Sequence, residues 1–275
     1  MKLGAITMDK GLQRNVFEKA KSWIYKAGEK IRAKIDTPLT IDTKSDANDL
    51  VTTMDKETEK YLSENIKAVY PNHKLISEEG FGDELQTLDG IVWIVDPIDG
   101  TMNFVEQKRN FAISIGIYED GVGEIGLIYN VMDDILYTAI RGKGAFKNDV
   151  KLPRLPENAP LEKALLSLTH FWLCPNRLVQ KERIEELVRK VRGVRSYGSA
   201  ALEFAMVAEG VLDGYLSMSL SPWDIAAGII IVGEVGGVTS TIDGNSINML
   251  QEQAIITANP AIIDPIIKDY LQKGK

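Results

Sequence analysis

The chain has 275 residues, 39 acidic against 32 basic, for a net charge of -7, and 44% of its residues are hydrophobic. Such a chain can bury one large core or two lobes, and its acidic balance argues against a protein built to coat nucleic acid. The single cysteine, Cys174, excludes an internal disulfide and reads as a small buried or half-buried hydrophobe in a reducing compartment.

The opening "MKLGAITMDKGLQRN" lacks an apolar core of signal-peptide length, and no run approaches the roughly 20 apolar residues of a membrane span, so a cytoplasmic protein is expected. From Asp9 to Ile35 the residues Leu12, Val16, Trp23, Ile24, Ala27 and Ile31 fall mostly at helical spacing among charged ones, which predicts a long amphipathic helix. The polar "DTPLTIDTKSDANDLVT" predicts an irregular or hairpin-like excursion. A helical pattern resumes from Met54 to Val69 and stops at Pro71 and Asn72. "HKLIS", "IVWIV", "FAISIGIY", "GEIGLIYNV" and "ILYTAI" are β-rich runs between Gly, Asp and Asn turns, as in an antiparallel meander.

Beyond them the pattern alternates. "KALLSLT" predicts a strand, Arg177 to Val191 a helix, Val194 to Tyr197 a strand, Ala200 to Glu209 a helix, "DGYLSM" a strand and Pro222 to Val235 a helix. "GGVTS", "AIITA" and a helix from Pro260 close the chain. The expected organisation is an α/β (α+β) chain with two lobes in one domain, residues 1–150 and 151–275, meeting near the Pro-rich "LPRLPENAP" (152–160).

"WIVDPIDGTMNF", Trp93 to Phe104, sets two aspartates three apart after a run that is apolar on consecutive residues, as in a strand covered on both faces. Asp-Pro followed by Asp-Gly is also good turn chemistry and explains the motif equally well by itself. Two close carboxylates repel, however. A hard divalent cation such as Mg²⁺ or Ca²⁺ would remove that cost by taking oxygen ligands, and the Thr101 hydroxyl and Ile98 carbonyl lie in the same stretch. "LISEEG" places Glu78 and Glu79 just past a predicted strand, where two solvated glutamates are an equal reading. "SPWDIAAG" places Asp224 in the first turn of a predicted helix, where Ser221, Pro222 and Asp224 would serve as well for a capping arrangement.

Taken together, "DPIDGTMNF" and "WDIAAG" resemble the two signatures of the inositol monophosphatase family, within the lithium-sensitive, Mg²⁺-dependent sugar phosphatases. "KSDANDLVTTMD" and "SEEG" resemble its upstream segments, and the likeness runs over nearly the whole chain. The resemblance implies a layered αβαβα sandwich that hydrolyses inositol 1-phosphate or a related small phosphate ester, is inhibited by lithium, and forms a homodimer. Residue by residue, it implies that Glu78, Asp96, the Ile98 carbonyl and Thr101 hold one Mg²⁺. Asp96, Asp99 and Asp224 hold a second, with Asp96 as the bridge, and Glu79 joins Glu78 near a weaker third.

On the same resemblance, Thr101 and Asp55 accept the proton of the attacking water. The N–H groups of Gly100 and Thr101 cradle phosphate, with Lys44 as further positive charge. Gly198, Ser199 and Ala200 in "SYGSAAL" would face the alcohol, although the segment reads equally as a helix N-terminus capped by Ser199. Members that act on inositol phosphates commonly carry a glutamate where this chain has Ser217. A shorter, uncharged side chain gives a polyol less to hydrogen-bond, so fructose 1,6-bisphosphate, NADP and nucleotide 3'-phosphates are alternative substrates.

Rival chemistries lack their parts. "GVGEIG" fits the dinucleotide template literally but leads into a strand-like run instead of a helix. Two histidines and one cysteine are too few for a zinc site of usual type, and no G-x-S-x-G elbow is present. The alternative from another class is an RNA- or transcription-complex-associated regulatory protein that keeps the fold. The full set of expected metal ligands favours the enzyme.

Overall fold

The computed structural model describes residues 8–37, 41–43 and 50–271. Helix α1 (Lys10–Lys34) starts where the Asp9 side chain accepts a hydrogen bond from Leu12 N–H at 2.8 Å, and it buries Val16, Ala20, Trp23, Ile24, Ala27 and Ile31. That stripe is the expected amphipathic face. Strands β1 (Ile41–Thr43) and β2 (Leu50–Thr52) pair antiparallel, and α2 (Thr53–Val69) follows and packs beside α1.

The first sheet holds β3 (Lys74–Ser77), β4 (Ile91–Asp99), β5 (Ala112–Glu119), β6 (Val122–Asn130), β7 (Ile135–Ile140), β8 (Gly144–Lys147) and β9 (Val150–Lys151), adjacent in that order. From β4 on every pair is antiparallel, as the meander predicts, but β3 runs parallel to β4, against that expectation, because residues 78–90 form a crossover between them and not a hairpin turn. β8 and β9 go beyond the expectation: four and two residues rich in Gly and Lys carry no periodicity. The "GVGEIG" stretch turns the β5–β6 hairpin at Gly121 and continues as β6. A short helix, α3 (Thr101–Gln107), joins β4 to β5.

The second sheet has the order β11-β10-β12-β14-β13, built from β10 (Leu165–Ser167), β11 (Gly193–Arg195), β12 (Gly214–Leu220), β13 (Val238–Thr241) and β14 (Gln253–Ala258). β10 is parallel to β11 and β12, and β14 is antiparallel to β12 and β13. Its helices are α4 (Lys181–Lys190), α5 (Ala200–Glu209), α6 (Pro222–Glu234) and α7 (Pro260–Tyr270). α4 begins four residues later than the pattern predicts. The Asn176 side chain accepts from Leu178 and Val179 N–H and makes a side-chain turn there instead.

Three buried clusters separate five layers. Trp93, Val95 and Ile117 of the first sheet pack under α1 and α2. Val92, Ile94 and Ile128, from the other face, pack on α5 and α6, which also meet Tyr215 and Ile255 of the second sheet. Leu166, Leu216 and Ile256 close against α4 and α7. The result is an αβαβα sandwich whose central layer, α5 with α6, is sequence from the second half packed on the sheet of the first. α6 lies so close to β5 that a Cβ at Gly116 would sit 2.6 Å from Ala226 Cβ. Cys174 is exposed, not buried as its residue type suggests, because it follows a 3-10 turn that buries its neighbour Trp172 instead.

Candidate active site

The "DPID" motif lies on a β-bulge. β4 does not end before the aspartates; it carries them, with Asp96 opposite Ser114 and Asp99 opposite Ala112, so that two residues lie between them on β4 against one on β5. Side chains alternate along a strand, so Asp96 shares a face with Val92 and Ile94, toward α5 and α6, while an unbroken strand would turn Asp99 the other way. The extra residue shifts the phase. Ile98 accordingly drops into the core under α1 and α2, and Asp99 joins Asp96 on the opposite face. Pro97, which has no N–H to donate, suits the irregular step.

One carboxylate oxygen from each of Asp96, Asp99 and Asp224 lies within 4.8 Å of the other two. Each is also tied to the backbone. Ile98 N–H donates to Asp96 Oδ1 at 3.0 Å. Ser221 N–H donates to Asp224 Oδ2 at 2.7 Å at the start of α6, so the capping role and the convergence coexist in one side chain. Asp99 accepts the Ser199 hydroxyl, Ala200 N–H at 3.2 Å and Ala201 N–H at 2.9 Å, which caps α5. Asp55 closes the capping box of α2 by accepting Thr52 N–H at 2.8 Å. Three helix N-termini, the positive ends of their dipoles, thus meet at the carboxylates.

Thr101 Oγ1 lies 3.2 Å from Asp55 Oδ1 and 3.1 Å from the Ile98 carbonyl oxygen, with its hydroxyl positioned to donate to either. Gly100 precedes α3 at φ +91°, where a side chain would be strained, and a Cβ there would also lie 3.1 Å from the Gly198 carbonyl oxygen and from Ser199 Cβ. Glycine at 100 therefore lets the α3 start and the 198–199 segment approach this closely.

Burial first, then the charges of Glu78, Asp99, Asp224 and Asp55, holds the Asp96 carboxyl well above the ordinary range. Asp224 is raised in the same way by burial and then by Asp99. Burial pushes Asp99 up to about 7 against the hydrogen bonds from Ser199 and Ala201, and pushes Asp55 up to about 6 against those from Thr52. Among the described residues no lysine or arginine forms an ion pair with any of these four. Buried and half-buried carboxylates in mutual reach, all hard oxygen donors, fit a divalent cation of the Mg²⁺ or Ca²⁺ kind, which would draw them back to the ionised form.

Glu78 and Glu79 are half-buried just past β3. Glu78 lies outside the tight triad but acts on all three of its members by charge, and Glu79 acts on Asp55. Ser199 and Ala200 are buried against Asp99, and Gly198 sits at φ +78° beside Asn103. Ser217 is half-buried on β12, where its hydroxyl donates to the Ser219 carbonyl at 3.4 Å, two residues from the buried Tyr215. Lys44 lies outside the described residues.

Three residues that support the site escape the sequence reading. Asn103 donates to the carbonyls of Asn110 and Tyr197 at 2.9 and 2.7 Å, tying α3 to the 197–199 segment. Glu203 accepts the Ser167 hydroxyl and Tyr197 N–H at 2.6 and 2.8 Å. Glu59 holds the segment that carries Glu78 and Glu79. Asn103 stands inside "DGTMNF" and was open to inference. Glu59, among the other charged residues of α2, gives no signal of burial, whereas Glu203 is the one charge in the apolar run 200–208 and that contrast was readable.

An αβαβα chain with a carboxylate triad, Asp96 and Asp99 buried and Asp224 half-buried, where its central helices meet the first sheet is built as a metal-using phosphomonoesterase. Residues 12–274 match the model of the inositol monophosphatase family, and the chain belongs to that family, whose members use divalent metal. It is 50% identical over 258 residues to the inositol-1-monophosphatase of Bacillus subtilis (strain 168), covering 94% of this chain and 97% of that one. Among solved structures, the staphylococcal enzyme SaIMPase-II bound to 2'AMP is 39% identical with a TM-score of 0.86, each chain covered to 94%. The same enzyme bound to inositol monophosphate gives 37% and 0.84, with 94% of this chain and 93% of that one covered. An IMPase/NADP phosphatase complexed with Mg²⁺ and phosphate is 27% identical over 95% of this chain and 97% of that one, with a TM-score of 0.87.

Proposed function

We propose that this enzyme is a Mg²⁺-dependent phosphomonoesterase that hydrolyses inositol 1-phosphate and related small phosphate esters by two-metal activation of water. The observation that carries the reading is the convergence of Asp96, Asp99 and Asp224 within 4.8 Å, beside the Thr101–Asp55 pair. Glu78, Asp96, the Ile98 carbonyl and Thr101 would hold one ion, and Asp96, Asp99 and Asp224 the other, with Asp96 shared. Glu78 and Glu79 would hold a weaker third. Bound there, the cation supplies Lewis acidity, which offsets charge on phosphoryl oxygens and lowers the pKa of water.

The chain's own residues do the rest. Asp55, at about 6, is ionised near neutral pH and takes the proton that water gives up, through the Thr101 hydroxyl 3.2 Å away. The Thr52 N–H and hydroxyl both donate to Asp55 and hold it in place for that task. N–H groups of Gly100 and Thr101, at the open first turn of α3, receive phosphate oxygens. Gly198, Ser199 and Ala200 form the wall behind Asp99, and Ser217 faces the alcohol. By family, the enzyme is a cytoplasmic homodimer inhibited by lithium; no helix among the described residues is long and apolar enough to cross a membrane.

Phosphate release measured with and without Mg²⁺ on inositol 1-phosphate, fructose 1,6-bisphosphate, NADP and a 2'- or 3'-nucleotide tests the reading. Inositol 1-phosphate is expected to turn over only with Mg²⁺; no turnover on any of the panel would redirect it to a binding role. Ser217→Glu is expected to raise kcat/KM for inositol 1-phosphate relative to NADP by about tenfold, the gain from one added charged hydrogen-bond acceptor for a ring hydroxyl. An unchanged ratio would remove Ser217 from the specificity set.

A further inference from the structure

Glu59 is fully buried on α2, one turn beyond Asp55 and on the same face. Its Oε1 accepts the Ser77 hydroxyl at 2.7 Å and Phe81 N–H at 2.9 Å, and its Oε2 accepts Glu79 N–H at 2.6 Å. All three donors belong to residues 77–81, the segment that leaves β3 and presents Glu78 and Glu79. Farther on, Asp83 N–H donates to the Leu75 carbonyl at 2.6 Å and Lys67 donates to the Phe81 carbonyl at 2.9 Å. Glu59 is thus the side chain that grips the bend itself, on both sides of Glu78. Burying a carboxyl group is costly unless its oxygens are satisfied, and here every bond it makes is spent on this one segment.

We propose that Glu59 is a positioning residue for divalent-cation binding: by holding the Ser77 hydroxyl before Glu78 and the Glu79 and Phe81 N–H groups after it, it delivers that carboxylate to the Asp96 cluster and sets metal affinity, not the chemical step. The inference rests on the reading of Glu78 as a metal ligand. Glutamine at position 59 has the same shape but turns N–H donors where one carboxylate oxygen stood, so it can keep the Ser77–Phe81 side or the Glu79 side, but not both.

Glu59→Gln in the full-length enzyme is expected to speed amide exchange at Glu79 and Phe81 in the metal-free protein. It should weaken Mg²⁺ binding measured by calorimetry by about tenfold or more, the usual cost of removing a side chain that orients a ligand. At saturating Mg²⁺, kcat should return to near the parent value. Glu78→Gln is the control: unchanged Mg²⁺ affinity there would overturn the ligand reading itself. If Glu78→Gln weakens Mg²⁺ binding while Glu59→Gln leaves affinity and exchange unchanged, the positioning role alone falls. A kcat that stays low at saturating Mg²⁺ also overturns it. Should Glu59→Gln fail to fold, Ser77→Ala, which removes one donor and no buried charge, decides: weaker Mg²⁺ binding supports the role, and unchanged binding overturns it.

Discussion

Asp96→Asn is expected to lower kcat by about a thousandfold or more, about 4 kcal/mol of barrier, while the metal-free variant melts higher than the parent. The two effects have one cause. Asp96 is 1% exposed, and its charge is opposed by burial and by Glu78, Asp99, Asp224 and Asp55 at once. Asparagine keeps the shape and keeps an oxygen to accept Ile98 N–H, now 3.0 Å from Oδ1, but it carries no charge. Without metal the substitution relieves repulsion, a gain on the order of 1 kcal/mol or about 3 °C in Tm. With metal it removes the proposed shared ligand, so Mg²⁺ should no longer raise Tm as it does in the parent. Thermal melts with EDTA and with Mg²⁺, beside kcat at saturating Mg²⁺, check all three. Near-normal kcat would sink the bridging assignment, and a metal-free Tm well below the parent's would make Asp96 a structural residue.

The second large effect is a dependence of the Mg²⁺ stabilisation on pH. Folding raises Asp55 to about 6 and Asp99 to about 7 and holds Asp96 and Asp224 well above the ordinary carboxylate range, all through burial first. A carboxyl raised in the folded state binds more protons folded than unfolded. Its stabilising contribution is complete below the unfolded value near 4 and is lost as pH rises through the folded value. For Asp55 alone this amounts to about 3 kcal/mol across that window. Cation binding needs the ionised forms and releases the protons.

The Tm difference between Mg²⁺-loaded and EDTA-treated protein should therefore be small at pH 5 and grow through pH 7. At a Mg²⁺ concentration about 100 times Kd, the gain approaches about 3 kcal/mol. Calorimetry in two buffers of different ionisation enthalpy should show proton release at pH 6. A Tm difference that is flat between pH 5 and 8 would separate these carboxylates from cation binding.

What pattern alone made legible were the features that a local rule controls. The long period of α1, the hairpin turns of the meander and the consecutive apolar run of β4 each follow from which side chains must leave water over a few residues. The Ser221-Pro222-Asp224 start of α6 was likewise visible as a cap, as was Ser199 at the head of α5. Where a long-range bond wins, the local reading overshoots. β11 stops at Arg195 instead of Tyr197 because Tyr197 N–H is taken by the buried Glu203 carboxylate, 2.8 Å away, and not by a neighbouring strand.

The sequence by itself determined the inventory: the carboxylates, the strand that would carry two of them, the helix start that would carry a third, and the family those motifs resemble. Only the tertiary structure decided how they meet. A bulge of one residue between Asp96 and Asp99 turns both to one face, and α6 from the second half of the chain lies on the first sheet closely enough to bring Asp224 beside them. It also decided that Glu59 and Glu203 are buried clamps and not solvated charges. Residue types and spacings specify which groups are available. Whether a carboxylate faces water or another carboxylate depends on the pairing of segments more than a hundred residues apart, and that pairing is set by the packing of five layers, which no local pattern encodes.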